Sequence, residues 1–359
     1  MEKNNNDVLK DKNTYKMSKQ YILVTGGAGY IGSHTIADIF EHTNFEVISV
    51  DNFSNSYDNT YIALKNYFKK NIISIETDIC DKQNLFELLK PYASNIHSII
   101  HFAAFKSVPE SVQQPLKYYN NNITSLLNII ELAQQFQIQN FIFSSSCSVY
   151  GDIKTSPVTE NTPLPKPISP YAHTKQIGEQ ILKQLVDVCN YPIKVLALRY
   201  FNPVGAHSSG VIGELPKYNL TGLVPNIVLS ALNKIPQLQV FGNDYNTKDG
   251  TPIRDYVHVS DIARAHVLSI EKLNNISSQK YFDIINLGTG KGFTVLEVIQ
   301  TFEKVTGIKI NYKITQRRSG DVEAIFANND KALRELNWKP QLSLEDMLLS
   351  AWNWGKSRY

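Results

Sequence analysis

The chain has 359 residues, of which 42% are hydrophobic and 19% charged, and a formal net charge of +3. These values are typical of a globular protein with a full core, and they leave no basic surface for nucleic acid or a membrane. The three cysteines are too few and too scattered for a disulfide framework or a metal site, and they suit a cytoplasmic, reducing compartment. No apolar run approaches the roughly 20 residues of a membrane span. Residues 1–20 are polar, which predicts a disordered extension and no signal peptide.

Short apolar runs alternate with helical patterns over the first two hundred residues, which is the rhythm of stacked βαβ units. Val, Ile, Leu and Phe fill the runs continuously, as strands buried on both faces require. The predicted strands are Tyr21–Thr25, Glu46–Val50, Ile72–Ile75, Ser98–Ala103, Asn140–Ser144 and Ile193–Arg199, with helices such as Leu116–Gln137 and Tyr171–Val188 between them. The pattern predicts an α/β fold with a Rossmann-type doubly wound parallel sheet.

The rhythm changes after Phe201, where glycine and proline become frequent and the elements become shorter. This change predicts a smaller, mixed α/β lobe in the C-terminal part. A strand-like run at Asp283–Leu287 is followed by helices at Val295–Thr306 and Leu344–Trp354. We therefore predict a dinucleotide-binding domain at 21–201 with a return of the chain to it around 257–290, and a substrate lobe at 202–359.

A glycine-rich turn, Gly26 to Gly32, follows the first predicted strand and opens a helix. Gly26 permits the tight turn, Gly29 lets the backbone approach a pyrophosphate, and Gly32 lets helix and strand pack closely. A pyrophosphate would then lie on the helix N-terminus, where unpaired N–H groups favour negative charge. Asp51 ends the second strand, where its carboxylate can accept both ribose hydroxyls and would repel a 2′-phosphate. The sequence therefore predicts NAD in preference to NADP.

Tyr171 and Lys175 stand four residues apart at the start of a predicted helix, so both side chains can reach one site. A nearby ammonium lowers the pKa of a phenol, and the positive nicotinamide ring of NAD would lower it further. The tyrosine would then act as a base near neutral pH. Ser146 lies in a run of hydroxyl side chains at the end of strand five, where doubly wound sheets bind ligands. Turn chemistry can explain the other serines, so only Ser146 is a catalytic candidate.

Four longer sequence segments also match a known pattern. They are Asp51-Asn52-Phe53-Ser54-Asn55-Ser56, His101-Phe102-Ala103-Ala104-Phe105-Lys106, Leu198-Arg199-Tyr200-Phe201-Asn202-Pro203-Val204-Gly205-Ala206-His207 and Arg254-Asp255-Tyr256-Val257-His258-Val259. With the glycine turn and the Ser146, Tyr171 and Lys175 triad, they resemble the extended short-chain dehydrogenase/reductase family, and within it the UDP-sugar 4-epimerases. The resemblance runs from about Tyr21 to the C-terminus.

The resemblance implies a permanently held NAD and an interconversion of UDP-galactose and UDP-glucose without net redox change. Tyr171, as phenolate, would take the proton from the sugar 4-hydroxyl while hydride moves from C4 to the nicotinamide. Ser146 would relay the proton, and Lys175 would bind the nicotinamide ribose and keep Tyr171 ionised. The 4-keto sugar would rotate within the site and take the hydride back on its other face. N-acetylhexosamine counterparts are further candidate substrates, and a homodimer is expected.

The resemblance also implies two sets of binding residues. Besides the triad, the NAD set is Gly26, Gly29, Tyr30, Ile31, Gly32, Asp51, Asn52, Phe53, Ser54, Asn55, Ser56, Asp78, Ile79, Phe102, Ala103, Ala104, Phe105, Lys106, Asn121 and Phe201. The UDP-sugar set is Lys106, Ser146, Tyr171, Asn202, Leu223, Gln239, Val240, Phe241, Arg254, Tyr256, Arg318 and Asp321. Their chemistry also makes Arg254 and Arg318 candidates to bind the diphosphate, because guanidinium groups bind phosphate oxygens bidentately. Surface ion pairing is the alternative for each charged residue and is preferred for Arg317.

Two positions depart from the family pattern. Thr221-Gly222 stand where paired asparagines often precede Leu223, which leaves one diphosphate contact to a backbone N–H group. Ile325 stands where related epimerases carry a large tyrosine or a small cysteine, and bulk there limits the space around the sugar 2-position. Acceptance of N-acetylated sugars is therefore open.

Other functions share parts of this pattern. A 4,6-dehydratase or a UDP-glucuronate decarboxylase would have the same fold, but dehydratases place an Asp-Glu pair where this chain has Cys147-Ser148. A simple NAD-dependent dehydrogenase is compatible with the triad alone. A non-catalytic NAD-sensing protein has no need of an activated phenol. The glycine run at 288–292 lacks the spacing of a phosphate loop and predicts an ordinary strand-to-helix turn.

Overall fold

A computed structural model describes residues 19–153, 155–189, 191–215, 217, 222–318 and 321–359. The strands among them are β1 (Tyr21–Thr25), β2 (Glu46–Asp51), β3 (Ile72–Glu76), β4 (Ile96–His101), β5 (Asn140–Ser146), β6 (Lys194–Tyr200), β7 (Asn202–Val204), β8 (Leu238–Phe241), β9 (Ile253–His258), β10 (Tyr281–Leu287), β11 (Gly292–Thr294), β12 (Tyr312–Thr315) and β13 (Ala324–Ile325). The helices are α1 (Tyr30–His42), α2 (Asn59–Phe68), α3 (Lys82–Leu89), α4 (Val108–Gln113), α5 (Pro115–Gln135), α6 (Pro170–Asp187), α7 (Leu223–Ala231), α8 (Val259–Asn274), α9 (Val295–Thr306), α10 (Asp330–Leu336) and α11 (Leu344–Lys356). The predicted extension lies almost wholly outside the described residues.

Seven parallel strands form the central sheet in the order β10-β6-β5-β4-β1-β2-β3. Their side chains are apolar on both faces because helices cover both. Ile36 of α1 and Ile262 of α8 pack on one face, and Ile129 of α5 and Leu182 of α6 pack on the other. The strand order reverses between β1 and β4, which opens a crevice at their carboxyl ends. The predicted doubly wound parallel sheet is confirmed.

The strand boundaries differ from the predicted ones by up to two residues. β5 continues to Ser146 because it pairs with β6 as far as Tyr200. β4 begins and ends two residues earlier than predicted, at Ile96 and His101. α6 begins at Pro170 because the Ser169 hydroxyl caps it, accepting a hydrogen bond of 3.2 Å from the N–H group of Ala172.

The smaller lobe is built around β9, which pairs with β7, β11 and β13, while β8 and β12 form a separate parallel pair. Val228 of α7, Phe302 of α9 and Trp352 of α11 bury a third apolar core there. From this part of the chain β10 returns to the central sheet beside β6. The exact division at residues 201 and 202 stays a prediction. Within the described ranges, no helix has the length and apolar character needed to cross a membrane.

Candidate active site

The glycine turn connects β1 to α1 and is shaped for a ligand that approaches closely. Gly26 has a φ of +71°, and a Cβ on it would lie 2.9 Å from the backbone N of Ala103. A Cβ on Gly32 would lie 2.3 Å from the carbonyl O of Gly26, so the helix packs directly on the turn. The first turn of α1 has no capping side chain and no acidic residue, which leaves its N–H groups for an anion. The turn therefore fits the pyrophosphate of NAD.

Asp51 ends β2 beside this turn and is 8% exposed. Its Oδ2 accepts a hydrogen bond from the N–H group of Ala28 (3.0 Å), and its Oδ1 accepts from the Phe53 N–H group (2.9 Å) and the Ser56 hydroxyl (2.9 Å). Burial raises the pKa of this carboxyl group, and the three hydrogen bonds oppose that rise. A carboxylate has about four acceptor positions, so one remains for a ribose hydroxyl. A contact to both hydroxyls stays a prediction and needs one of these bonds to open.

Most of the other residues predicted to bind NAD follow the carboxyl ends of strands in the central sheet, and Asn121 lies on a helix. They are Tyr30 and Ile31 in the first turn of α1, residues 52–56 after β2, Asp78 and Ile79 after β3, residues 102–106 after β4, Asn121 on α5 and Phe201 after β6. Tyr30 donates its hydroxyl to the carbonyl O of Gly205 at 2.6 Å, which joins α1 to the smaller lobe. The exposed Lys106 ammonium lies 3.7 Å from the Glu214 carboxylate. Glu214 therefore competes with a bound ligand for this ammonium.

The predicted triad lies where β5 ends and α6 begins. Ser146 is the last residue of β5, and its hydroxyl accepts a hydrogen bond of 3.2 Å from the N–H group of Ser148. The buried Lys175 donates from Nζ to the carbonyl O of Ser144 at 2.6 Å, and its Nζ lies 6.0 Å from the centre of the Tyr171 ring. Burial lowers the pKa of Lys175 to about 8, although the Glu179 carboxylate opposes the fall. Lys175 therefore stays mainly protonated at neutral pH.

The low pKa predicted for Tyr171 with NAD bound stays a prediction, and the phenol behaves differently in the protein without NAD. Loss of hydration raises the pKa of its phenol to about 12, although a hydrogen bond with Ser146 opposes the rise. The ammonium of Lys175 lies beside the ring and donates to a backbone carbonyl, so it does not offset desolvation in the protein alone. A further positive charge next to the phenol would favour the phenolate and lower its pKa. The nicotinamide ring of bound NAD carries such a charge.

Two arginines predicted to bind the diphosphate lie in the smaller lobe. Arg254, on β9, donates from Nη1 to the carbonyl oxygens of Ile253 and Val322 (both 2.8 Å), and its Nη2 lies 3.5 Å from Oδ1 of Asp321. The Arg318 guanidinium stacks 3.8 Å from the centre of the Phe241 ring, so one face of that ring is covered. Asp321 links the two arginines, because its N–H group donates to the carbonyl O of Arg318 at 3.3 Å. Arg317 forms an exposed ion pair with Asp244, the role preferred for it.

The remaining predicted substrate residues lie on β7, β8 and β9 and at the start of α7. Asn202 and Tyr256 are paired across β7 and β9, Leu223 begins α7, and Gln239 and Val240 precede Phe241 in β8. Val240 is 1% exposed, so its side chain belongs to the core and only its backbone can meet a base. Ile325 is buried and pairs with Arg254 between β13 and β9. Gly222 lies at the N-cap of α7, whereas Thr221 lies outside the described residues.

Sequence reasoning missed the role of Asp255. Its buried carboxylate accepts hydrogen bonds from the N–H groups of Thr289 (2.8 Å), Gly290 (3.2 Å) and Ala327 (3.1 Å) and from the Thr289 hydroxyl (2.5 Å). A Cβ on Gly288 would lie 2.4 Å from Oδ2 of Asp255. The glycine run at 288–292 therefore does surround an anion, but the anion is the chain's own carboxylate. The likeness of the glycine run to a phosphate loop was the signal that could have identified the role of Asp255.

A glycine turn at a switch point and a Ser-Tyr-Lys cluster where β5 ends and α6 begins define a dinucleotide-dependent enzyme of the extended short-chain dehydrogenase/reductase type. Residues 23–350 match the family model described as GDP-mannose 4,6 dehydratase. The UDP-glucose 4-epimerase of Bacillus subtilis (strain 168) is 44% identical over 337 residues, which cover 94% of this chain and 97% of that protein. The chain belongs to the UDP-glucose 4-epimerase family of NAD-dependent enzymes.

Solved structures agree with this assignment. The UDP-glucose-4-epimerase of Stenotrophomonas maltophila with bound NAD and formylated UDP-arabinopyranose has a TM-score of 0.89 and 40% identity, covering 94% of this chain and 98% of that chain. The UDP-glucose 4-epimerase of Bifidobacterium longum in complex with NAD⁺ and UDP also has a TM-score of 0.89 and 40% identity, covering 94% and 99%. The resemblance stated from the sequence is thus confirmed at the level of the family.

Proposed function

We propose that the protein interconverts UDP-galactose and UDP-glucose and keeps its NAD bound throughout. The observation that carries this proposal is the meeting of Ser146, Tyr171 and Lys175 at the carboxyl end of β5, at the same edge of the sheet as a glycine turn shaped for a pyrophosphate. Bound NAD would supply the acceptor and the donor of one hydride. The chain's own residues bind the sugar, move its proton and exclude water.

The proton chemistry belongs to the triad. Tyr171, ionised by the positive charges around it, takes the proton of the sugar 4-hydroxyl and later returns it. Ser146, whose side chain lowers the pKa of the phenol, holds the sugar O4 and relays the proton. Lys175 remains a cation in the working pH range, binds the nicotinamide ribose and favours the phenolate of Tyr171.

The nucleotide end of the substrate is assigned to the smaller lobe. Arg254 and Arg318 bind the diphosphate, because guanidinium groups match phosphate oxygens in charge and geometry. Nη2 of Arg254 is weakly engaged at 3.5 Å from Asp321, so a diphosphate can displace that contact. Asp321 then accepts from the uridine ribose, and Asn202 donates to the diphosphate.

We further infer that the enzyme acts as a homodimer in the cytoplasm. Leu116 and Leu127, which are 73% and 45% exposed, lie eleven residues apart on one face of α5. Ile177, Ile181 and Leu185 line an apolar groove on the adjacent α6. Exposed apolar surface of this kind is typical of protein interfaces. All three cysteines are free thiols, which fits a reducing compartment.

The test begins with purified protein, UDP-galactose and no added cofactor. We expect UDP-glucose to form and NAD to be released on denaturation, and the absence of both would overturn the proposal. A Tyr171→Phe variant should retain NAD and lose about 10²- to 10⁴-fold in kcat, because it lacks the acid–base group. Tyr312→Phe, at a half-exposed site on β12, serves as the control. A product lighter by one water molecule would indicate the dehydratase instead.

A further inference from the structure

A buried ion pair lies one helical turn below the predicted catalytic residues. The side chains of Glu179 and Arg199 are only 5% and 2% exposed. Arg199 donates from Nε to Oε1 of Glu179 at 2.9 Å and from Nη2 to Oε2 at 2.6 Å, which is a bidentate pair. Charges removed from water in this way contribute less to stability than apolar side chains of similar volume would, so stability is a poor reason for the pair to exist.

The contacts of Glu179 join the helix of the triad to the strand of the triad. Glu179 follows Lys175 by four residues on α6, so the two side chains lie on the same face of that helix. Oε1 of Glu179 also accepts a hydrogen bond of 2.5 Å from the hydroxyl of Ser145, the residue before Ser146 on β5. A shift of α6 along or around its axis would therefore break these bonds.

Arg199 extends the connection to three further segments. It lies opposite Ser145 in the pairing of β5 with β6. Its Nη1 donates to the hydroxyl oxygen of Tyr150 at 2.9 Å, in the turn that follows β5. The Tyr150 hydroxyl in turn donates to Oδ1 of Asn286 on β10 at 2.7 Å. The pair thus ties α6 to β5, β6, β10 and the turn after the catalytic serine.

We propose that Glu179 and Arg199 are positioning residues for the epimerisation, and this inference rests on the function proposed above. Their ion pair fixes the height and rotation of α6 against the strand ends, and so sets where Tyr171 and Lys175 stand relative to Ser146. Neither residue touches the reacting atoms. A displacement of catalytic groups by a fraction of an ångström to an ångström is enough to slow a reaction strongly.

The pair also controls the charge that the catalytic residues experience. Lys175 is faced by Glu179 from its own helix and by His101 from β4, whose pKa burial lowers to about 3, so His101 is neutral. Tyr171 is faced by Cys147, whose pKa burial raises to about 12, and by Tyr200 of β6, whose pKa burial also raises, so both are neutral. An intact pair has no net charge. Loss of Glu179 alone leaves the guanidinium of Arg199 unpaired, and arginine cannot shed its charge.

Two variants test the inference in the NAD-bound enzyme. A Glu179→Leu/Arg199→Met double variant should fold, because apolar side chains of similar volume replace both charges. We expect wild-type NAD content and KM but a kcat lower by about tenfold to a hundredfold. The Glu179→Gln variant should shift the pH profile of kcat to lower pH, because the unpaired cation favours the deprotonated forms of Tyr171 and Lys175.

A readout other than activity accompanies these measurements. The phenolate absorbance of Tyr171 is taken as the difference between each protein and the same protein carrying Tyr171→Phe, and in Glu179→Gln it should titrate at lower pH. Asp187→Asn removes the exposed ion pair with Lys183 further along α6 and should change nothing. A double variant with wild-type kcat, or an unshifted titration in Glu179→Gln, would overturn the inference. An inactive wild type would overturn the proposed function and this inference with it.

Discussion

Ile325 is the residue whose size we expect to decide which sugars fit. It is 4% exposed, and its backbone pairs with that of Arg254, so its side chain cannot move away from the substrate lobe. Ile325→Cys should raise kcat/KM for UDP-N-acetylgalactosamine relative to UDP-galactose by about tenfold, the usual worth of one or two methylene groups in a pocket. Ile325→Tyr should lower the same ratio. For each variant, kcat/KM is measured with the two substrates and expressed as a ratio. Ile314→Cys, at an exposed isoleucine, is the control. Equal ratios in all variants would contradict the role of Ile325 in substrate choice.

Single residues also mark the limit of what the sequence could predict. The motif at Tyr171 and Lys175 indicated a shared site, and both residues do lie at the start of α6. The sequence could not predict how far loss of hydration raises the pKa of Tyr171 in the protein without NAD, because that depends on the packing around the ring and on a lysine that donates elsewhere. The groups that donate hydrogen bonds to Asp255 come from segments more than thirty residues away, which no local pattern records.

At the scale of elements, the strand–turn–helix unit of β1 and α1 makes a strong prediction. A Cβ added to Gly32 would meet the carbonyl O of Gly26 at 2.3 Å and push the helix away from the turn. Gly32→Ala should therefore cost about 1–3 kcal/mol of stability, as overpacking usually does. It should also yield protein that has lost most of its NAD, measured by cofactor released on denaturation.

The matched control is Gly307→Ala. Gly307 follows the last turn of α9 with a φ of +72°, and a Cβ added there meets open space. It strains the backbone but leaves the turn at β1 untouched. We expect it to lower the melting temperature and keep wild-type NAD content. NAD loss in Gly307→Ala, or full NAD content in Gly32→Ala, would show that the turn does not hold the cofactor as described.

Elements differed in how well the sequence predicted them. The strands of the central sheet were found within two residues because they are continuous apolar runs buried on both faces, which is a signal carried by each segment alone. The strands of the smaller lobe, such as β7, β11 and β13, have two or three residues and no period to detect. Their existence depends on pairing with β9, a contact between distant parts of the chain.

At the scale of the whole molecule, the site is a crevice between two sheets. The glycine turn belongs to the central sheet and Arg254 to the sheet around β9. The Tyr30 hydroxyl donates a hydrogen bond to the carbonyl O of Gly205, so the first turn of α1 is anchored to the segment that follows β7. The same crevice can therefore hold the cofactor from one side and the nucleotide sugar from the other.

The apolar face formed by α5 and α6 supports the last prediction, that two copies of the chain associate. Leu116 and Leu127 project from α5, and Ile181 lies in the groove on α6. Burying this surface against a second copy contributes roughly 25 cal/mol per Å² of apolar area, whereas a carboxylate there would lose its hydration without a partner. Leu116→Glu/Ile181→Glu should therefore sediment as a monomer at concentrations where the wild type is a dimer.

Leu333→Glu is the matched control, because Leu333 is 49% exposed on α10 in another part of the molecule. It adds the same charge at a similarly exposed leucine and should leave the mass in solution unchanged. The double variant should retain its NAD, since neither substituted side chain belongs to the residues predicted to bind NAD. A monomeric wild type, or a double variant that remains dimeric, would remove α5 and α6 as the interface.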